Sequence, residues 1–280
     1  MGNRFRSIYI SIGFIICMVS PIFAAVLFTS SKSEVVEPLK NGEINWTLQT
    51  IRVTGSGAPS QDAPNIAAAR LGAERAAKLD AMRNAIEAIQ GVWIDSQTTV
   101  KNAMLESDII RSRVQGFIQG ARVVETKYLS DGAIQVTIEV PFKGPGGIND
   151  LLLPKQMGTK PVPKEGPAVY TGLIVDAKGL KVKPALSPKI LDMDGREVYG
   201  SAFVSREYAI EQGIVGYAKD LSAAQQNERV ATNPLIIKAI KAAGSGGSDL
   251  IISNDDANSL RDSSKNMSFL EKCRVMIVVD

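Results

Sequence analysis

The stretch from Asp62 to Gln90 restricts the fold of this chain more than any other. Ala69, Gly72, Ala76, Leu79, Met82, Ile86 and Ile89 recur at three- and four-residue steps, which predicts one long helix with a single buried stripe. Arg70, Glu74, Lys78, Arg83 and Glu87 fall on the opposite face, with Glu74 and Lys78 in the favourable order for an ion pair along a helix. Asp62 is the expected cap, Pro64 is tolerated in the first turn, and Gly91 is the expected stop. Small residues in the first half of the helix predict that it lies close upon a sheet.

The flanking segments supply that sheet. "INWTLQTIRVTG" alternates Trp46, Leu48, Thr50 and Arg52 with Thr47, Gln49, Ile51 and Val53, and reads as one strand. "VWIDSQTTV" reads as a second strand, and "SDIIRSRVQG" as a short helix capped by Ser107 or Asp108. Ile118 to Leu129 and Ala133 to Phe142 read as a hairpin turning at Ser130-Asp131-Gly132, with Ile134, Val136, Ile138 and Val140 facing inward. Gly116 is expected just past the short helix, as a left-handed C-cap, and Gly120 at the start of the hairpin. A loop that cradles phosphate carries its glycines before a helix, and these two follow one.

From Lys143 to Pro167, five of the chain's 13 prolines and five glycines fall within 25 residues, so the segment reads as a stiff, extended linker. The expected organisation is a leader over 1–24, an extended lead over 25–43, a first domain over 44–142, the Pro/Gly linker over 143–167 and a second domain over 168–280. The fold class is α+β: two small mixed domains, the first a helix-backed antiparallel sheet. In the second, "AVYTGLIVDAKG", "PKILDMDGREVYG", "GIVGYAKD", "PLIIKAIKAAG", "SDLIISN" and "CRVMIVVD" read as strands. "SREYAIEQ" and "DDANSLRDSS" read as short helices.

Arg4 and Arg6 precede an apolar run from Ile8 to Val19, and Pro21-Ile22-Phe23-Ala24 supplies a cleavage region, so a signal peptide and export to the periplasm are expected. The alternative is an uncleaved anchor over residues 8–28 that ties the protein to the inner membrane. The chain carries 32 basic and 29 acidic residues, and two of its arginines lie in the leader. No basic field for nucleic acid remains. Histidine is absent, which removes Ser-His-Asp and Cys-His catalysis, histidine bases and nearly every catalytic zinc site. Cys17 and Cys273 are too few for a disulfide framework or a thiolate cluster.

Gly55-Ser56-Gly57-Ala58-Pro59, the Ala/Arg-rich helix ending "AIEAIQGVWIDSQTTV", and "VQGFIQGARVVETKYLSDGAIQVTIEVPF" together carry a resemblance. Over about Thr54 to Phe142 the chain resembles the bacterial outer-membrane lipoprotein family that includes flagellar protein FlgP. It is also similar there to the N-terminal domain of flagellar assembly protein T. The resemblance implies a non-enzymatic envelope protein of the kind that builds rings around a flagellar motor at the outer membrane. One departure stands out: Cys17 follows Phe14-Ile15-Ile16, and Ile16 does not match the small residue that precedes a lipobox cysteine. Lipid on Cys17 is therefore not expected, and metabolic palmitate labelling should be negative.

Several short motifs have plainer readings than their chemical ones. Gly55-Ser56-Gly57 lacks the third glycine of a dinucleotide fingerprint, since Ser60 stands in its place, and reads as a strand-to-helix loop. Asp192-Met193-Asp194-Gly195 opens like a calcium loop, but Phe203 occupies the position of the bidentate glutamate, so a hairpin turn is expected. Asp255-Asp256 reads as helix capping, and Trp46, Trp93 and Tyr128 as core or sheet-face packing. No catalytic residue, cofactor or metal is expected. Arg111 and Arg113 remain, as a solvated helix face or a subunit contact. The expected function is a structural or assembly component of the cell envelope. Its partners would be copies of itself in a homo-oligomer, or other envelope and flagellar proteins, with membrane association through the N-terminus. The alternative is a periplasmic binding module for peptidoglycan, polysaccharide or another ligand.

Overall fold

A computed structural model describes residues 33–164, 169–262 and 267–280, so the expected leader and Cys17 lie outside the described residues. Five strands, β1 (Val36–Leu39), β2 (Gly42–Asn45), β3 (Thr50–Gly57), β4 (Arg122–Tyr128) and β5 (Ile134–Pro141), form an antiparallel sheet ordered β1-β2-β3-β5-β4. The long helix α1 (Ile66–Gly91) covers one face. Alternation works as the sequence leads one to expect: Ile51 and Val53 of β3, and Ile134, Val136, Ile138 and Val140 of β5, are buried, while Arg52 and Ser56 are exposed. The α+β class with a helix-backed first sheet is what the sequence predicts.

The buried face of α1 is not the expected one. Ala73, Ala77, Ala81, Ala85 and Ala88 are buried with Ile89, whereas Leu79 is 64% exposed. Side-chain size explains the choice. Gly55 and Gly57 of β3 face the helix, and a Cβ built on Gly55 would stand 2.0 Å from the Ala81 nitrogen and 2.4 Å from the Ala77 oxygen. Helix backbone rests directly on sheet backbone, and only alanine fits in the remaining gap. Gly55-Ser56-Gly57 therefore ends a strand; it is not the loop the sequence implies. The helix also starts later than expected. Asn65 caps it, accepting from the Ala68 amide at 2.8 Å, and Pro64 stays outside.

Three other expectations change. "INWTLQTIRVTG" is a hairpin and not one strand: Trp46 to Gln49 turn between β2 and β3, with Gln49 at φ 59° and the Asn45 side chain accepting from the Leu48 amide. "VWIDSQTTV" is a loop held by the Asp95 carboxylate, which accepts from the Gln97 and Thr98 amides, and it leads into α2 (Val100–Glu106). The next helix, α3 (Asp108–Gln119), is capped by Ser107 as expected but runs through Gly116 and ends at Gly120. Gly116 lies in open space with no positive φ, so a left-handed cap is not its role. Gly116→Ala is expected to raise stability by about 0.5–1 kcal/mol through helix propensity, read as a higher urea midpoint. A lowered midpoint would contradict this placement.

After β5 the Pro/Gly-rich segment folds a short helix, α4 (Ile148–Leu152), and buries Ile148, Asn149, Leu152 and Leu153. The second sheet is mixed and ordered β8-β7-β11-β10-β6-β12-β9. Its strands are β6 (Gly172–Asp176), β7 (Ile190–Leu191), β8 (Glu197–Tyr199), β9 (Gly216–Ala218), β10 (Pro234–Ala243), β11 (Asp249–Ile252) and β12 (Val275–Val278). β10, β6, β12 and β9 run parallel to one another, whereas β10 pairs antiparallel with β11; β6 and β12 are buried throughout or nearly so, as central parallel strands are. Among the described residues of this half there are four short helices: α5 (Arg206–Gln212), α6 (Leu221–Gln225), α7 (Asn254–Asp262) and α8 (Ser268–Glu271).

Ser33 to Asp280 pack as one compact unit, with residues of both sheets in one core. Trp46 meets Phe142 and Tyr217 edge to face, at centroid distances of 5.4 and 5.7 Å. Buried Gln49 donates to the Val215 carbonyl at 3.1 Å, and Thr47 donates to the Tyr217 carbonyl. Ser96 donates to Asp249, and the Leu186 and Ser187 amides reach the carbonyls of Trp93 and Ile94.

Candidate functional site

Among the described residues, the first sheet leaves two surfaces uncovered. One is the face away from α1, where register aligns Glu43, Arg52, Glu139 and Arg122 across four strands with alternating charge. Arg52 and Glu139 pair at 2.7 Å, and Thr54 and Thr137 share a hydrogen bond one row along. The other is the outer edge of β4. Among the described residues it bonds only to β5; six of its seven residues are exposed, and Val123, Val124 and Tyr128 are among them. A row of free backbone donors and acceptors with apolar side chains is a template for another strand. The opposite edge is blunted, because β1 has four residues and contains Pro38.

Arg111 and Arg113 lie on α3, and the structure separates them. Arg111 donates to the Met104 carbonyl at 2.9 Å and pairs with Asp108 at 3.0 Å, so it holds the end of α2 against the start of α3. Arg113 is exposed on the side of α3 toward α4, near Asp150. The Gly146 amide, and then Arg206 at 3.0 Å, hold the Asp150 carboxyl below its usual range against the opposing effect of burial, and Arg113 adds to the shift.

Other sequence motifs have structural tasks. Asp192 is buried, and its two oxygens accept from the Asp194 and Arg196 amides and from the Arg196 and Arg261 guanidiniums. Four donors fill that carboxylate, and Asp192-Met193-Asp194-Gly195 is a hairpin turn with Gly195 at φ 78°. Burial by itself raises the Asp192 pKa, but the Arg261 and Arg196 hydrogen bonds outweigh it and bring it down to about 2. A folded pKa below the unfolded one contributes stability above about pH 4, lost as pH falls toward 2. Urea midpoints are therefore expected to fall less between about pH 5 and about pH 2.5 in Asp192→Asn than in the parent protein. Equal falls would mean that Asp192 does not contribute to acid sensitivity.

Trp46 is a core residue whose indole nitrogen donates to Glu37, and Trp93 packs against Gly246. Tyr128 is exposed on β4 and lies under the Arg70 guanidinium of α1, 4.2 Å from its ring centre. Ser253 caps α7 by accepting from the Asp256 amide, with Asp255 and Asp256 in the first turn. Burial pushes the Cys273 thiol up to about 12, which leaves no thiolate near neutral pH. Among the described residues no group of His, Cys, Asp and Glu is placed to hold a metal, and no helix is long and apolar enough to cross a membrane. Sequence reasoning missed the β4 edge. The signal was the unbroken apolar pair Val123-Val124 in a short strand next to a hairpin turn.

No curated protein matches the chain. Two families do: residues 53–141 are similar to the LPP20 lipoprotein family, and residues 172–280 to the second domain of Treponema pallidum Tp0624.

Proposed function

We propose that this protein is a non-enzymatic structural or assembly component of the bacterial envelope, working through contacts with copies of itself or with other envelope proteins. Flagellar or outer-membrane ring proteins are the partners implied by the resemblance. The observation that carries the proposal is the edge of β4, unpaired among the described residues, on a domain similar to the LPP20 lipoprotein family. Strand addition at such an edge supplies main-chain hydrogen bonds, and Val123, Val124 and Tyr128 supply apolar contact. The absence of histidine from the whole chain removes histidine-based acid–base and nucleophilic catalysis.

The test combines Val124→Lys on the edge with Arg113→Glu on α3. Arg111 is left in place because it also holds α2. A charge on an edge strand opposes pairing, and reversing an exposed charge replaces attraction with repulsion. Circular dichroism should be unchanged, while self-association measured by light scattering weakens about tenfold or more. Association at parental strength would remove β4 and Arg113 from the contact.

A further inference from the structure

A cleft of about 570 Å³ opens beside the end of α5, and Lys143, Arg229, Lys272 and Arg274 line it together with Glu211 and Glu228. The four cations come from distant parts of the chain: the exit of β5, the segment after α6, and the two sides of Cys273. The Gly144 amide donates to the Ile210 carbonyl at 2.9 Å and draws Lys143 to this wall. Cys273 adopts a left-handed conformation, φ 54°, that closes α8, with the Arg274 amide reaching the Phe269 carbonyl at 2.9 Å. That turn brings Lys272 and Arg274 to one cleft from either side of a buried residue.

Arg229 is fixed by carbonyl oxygens alone: it donates to Gly213 at 3.0 Å, to Cys273 at 2.8 Å and to Gln212. Among the described residues none of the four cations enters an ion pair. Burial, and after it the neighbouring Arg229 charge, lower the Lys143 pKa. Two flexible ammoniums and a planar guanidinium around one space suit an anion with several oxygens and more than one charge. Glu211 and Glu228 on the same wall disfavour a long polyanion and leave room for one compact group.

We propose that this cleft binds a phosphate-type oxyanion, either free or carried on a phospholipid headgroup. The test uses the full chain, with inorganic phosphate as the first probe and vesicles of phosphatidylglycerol, against phosphatidylcholine, as the second. Lys143→Met with Arg274→Met removes two of the cations, while Arg229 stays because it carries the carbonyls. Phosphate should raise the melting temperature saturably, beyond the effect of chloride at equal ionic strength, and the double variant should bind about tenfold more weakly. An unaltered melt without phosphate shows that the variant still folds. If the double variant is impaired on phosphatidylglycerol vesicles and inorganic phosphate has no effect, the headgroup is the source; saturation by inorganic phosphate identifies the free ion. Equal effects of phosphate and chloride with no selective vesicle binding, or unchanged affinity in the double variant, overturn the proposal. As a control, Lys101→Met on α2, outside the cleft, should leave phosphate binding unchanged, and an equal loss there would also overturn it.

Discussion

Gly55→Val is expected to lower stability by about 3 kcal/mol or more, the upper end of overpacking costs. Even the first carbon of the new side chain would stand 2.0 Å from the Ala81 nitrogen and 2.4 Å from the Ala77 oxygen. Those are helix backbone atoms, which cannot rotate aside as the end of a long side chain can. The helix must lift from β3, and that separates Ala73, Ala77, Ala81 and Ala85 from the sheet they are buried against. Urea unfolding followed by circular dichroism reads the loss. A change below about 1 kcal/mol would show that α1 does not rest on β3 in this way.

Trp46→Ala has the next largest expected effect, about 3–5 kcal/mol, as is usual when a buried large aromatic is truncated. Trp46 is 3% exposed and joins the two sheets through its edge-to-face contacts with Phe142 and Tyr217. Around it run the buried bond from Gln49 to the Val215 carbonyl and the pair Ser96–Asp249. With these contacts intact, residues 33–280 should unfold in a single transition, and Trp46→Ala should shift that transition as a whole. Two separated transitions in the parent protein, or a variant that lowers only one of them, would favour two independent domains joined by the Pro/Gly-rich segment.

What the sequence disclosed follows from where backbone preference and side-chain pattern agree. The hairpin at Ser130-Asp131-Gly132 was legible because Gly132 takes φ 83° and the Asp131 carboxylate accepts from the Ala133 amide. The strands of the second half were legible, including the turn with Gly195 at φ 78°, but the short helices α6 and α8 were not anticipated. The face of α1 was not. Alanine occurs all around that helix, and reading larger residues as the buried ones selects Leu79 over Ala77. Only the glycines of the facing strand, distant in sequence, make small size the deciding property. The turn at Trp46 to Gln49 contains neither glycine nor proline, and its strand-like alternation hid it.

The candidate surfaces were legible to an even smaller extent. Arg111 and Arg113 are close in sequence and share a helix, yet one is engaged with the Met104 carbonyl and the other faces solvent. The β4 edge exists only because β5 inserts between β3 and β4, which strand order along the chain does not reveal. The cations of the cleft are spread from Lys143 to Arg274, and no spacing rule connects them.

The central claim, that this protein works by assembling with other proteins in the envelope, is tested most directly by crosslinking it in native envelopes and determining the mass and composition of what it joins. The account predicts a defined species that holds further copies of the chain or another envelope protein, with crosslinks near β4. Recovery of the uncombined chain alone, under conditions where a known envelope complex is captured, would contradict it.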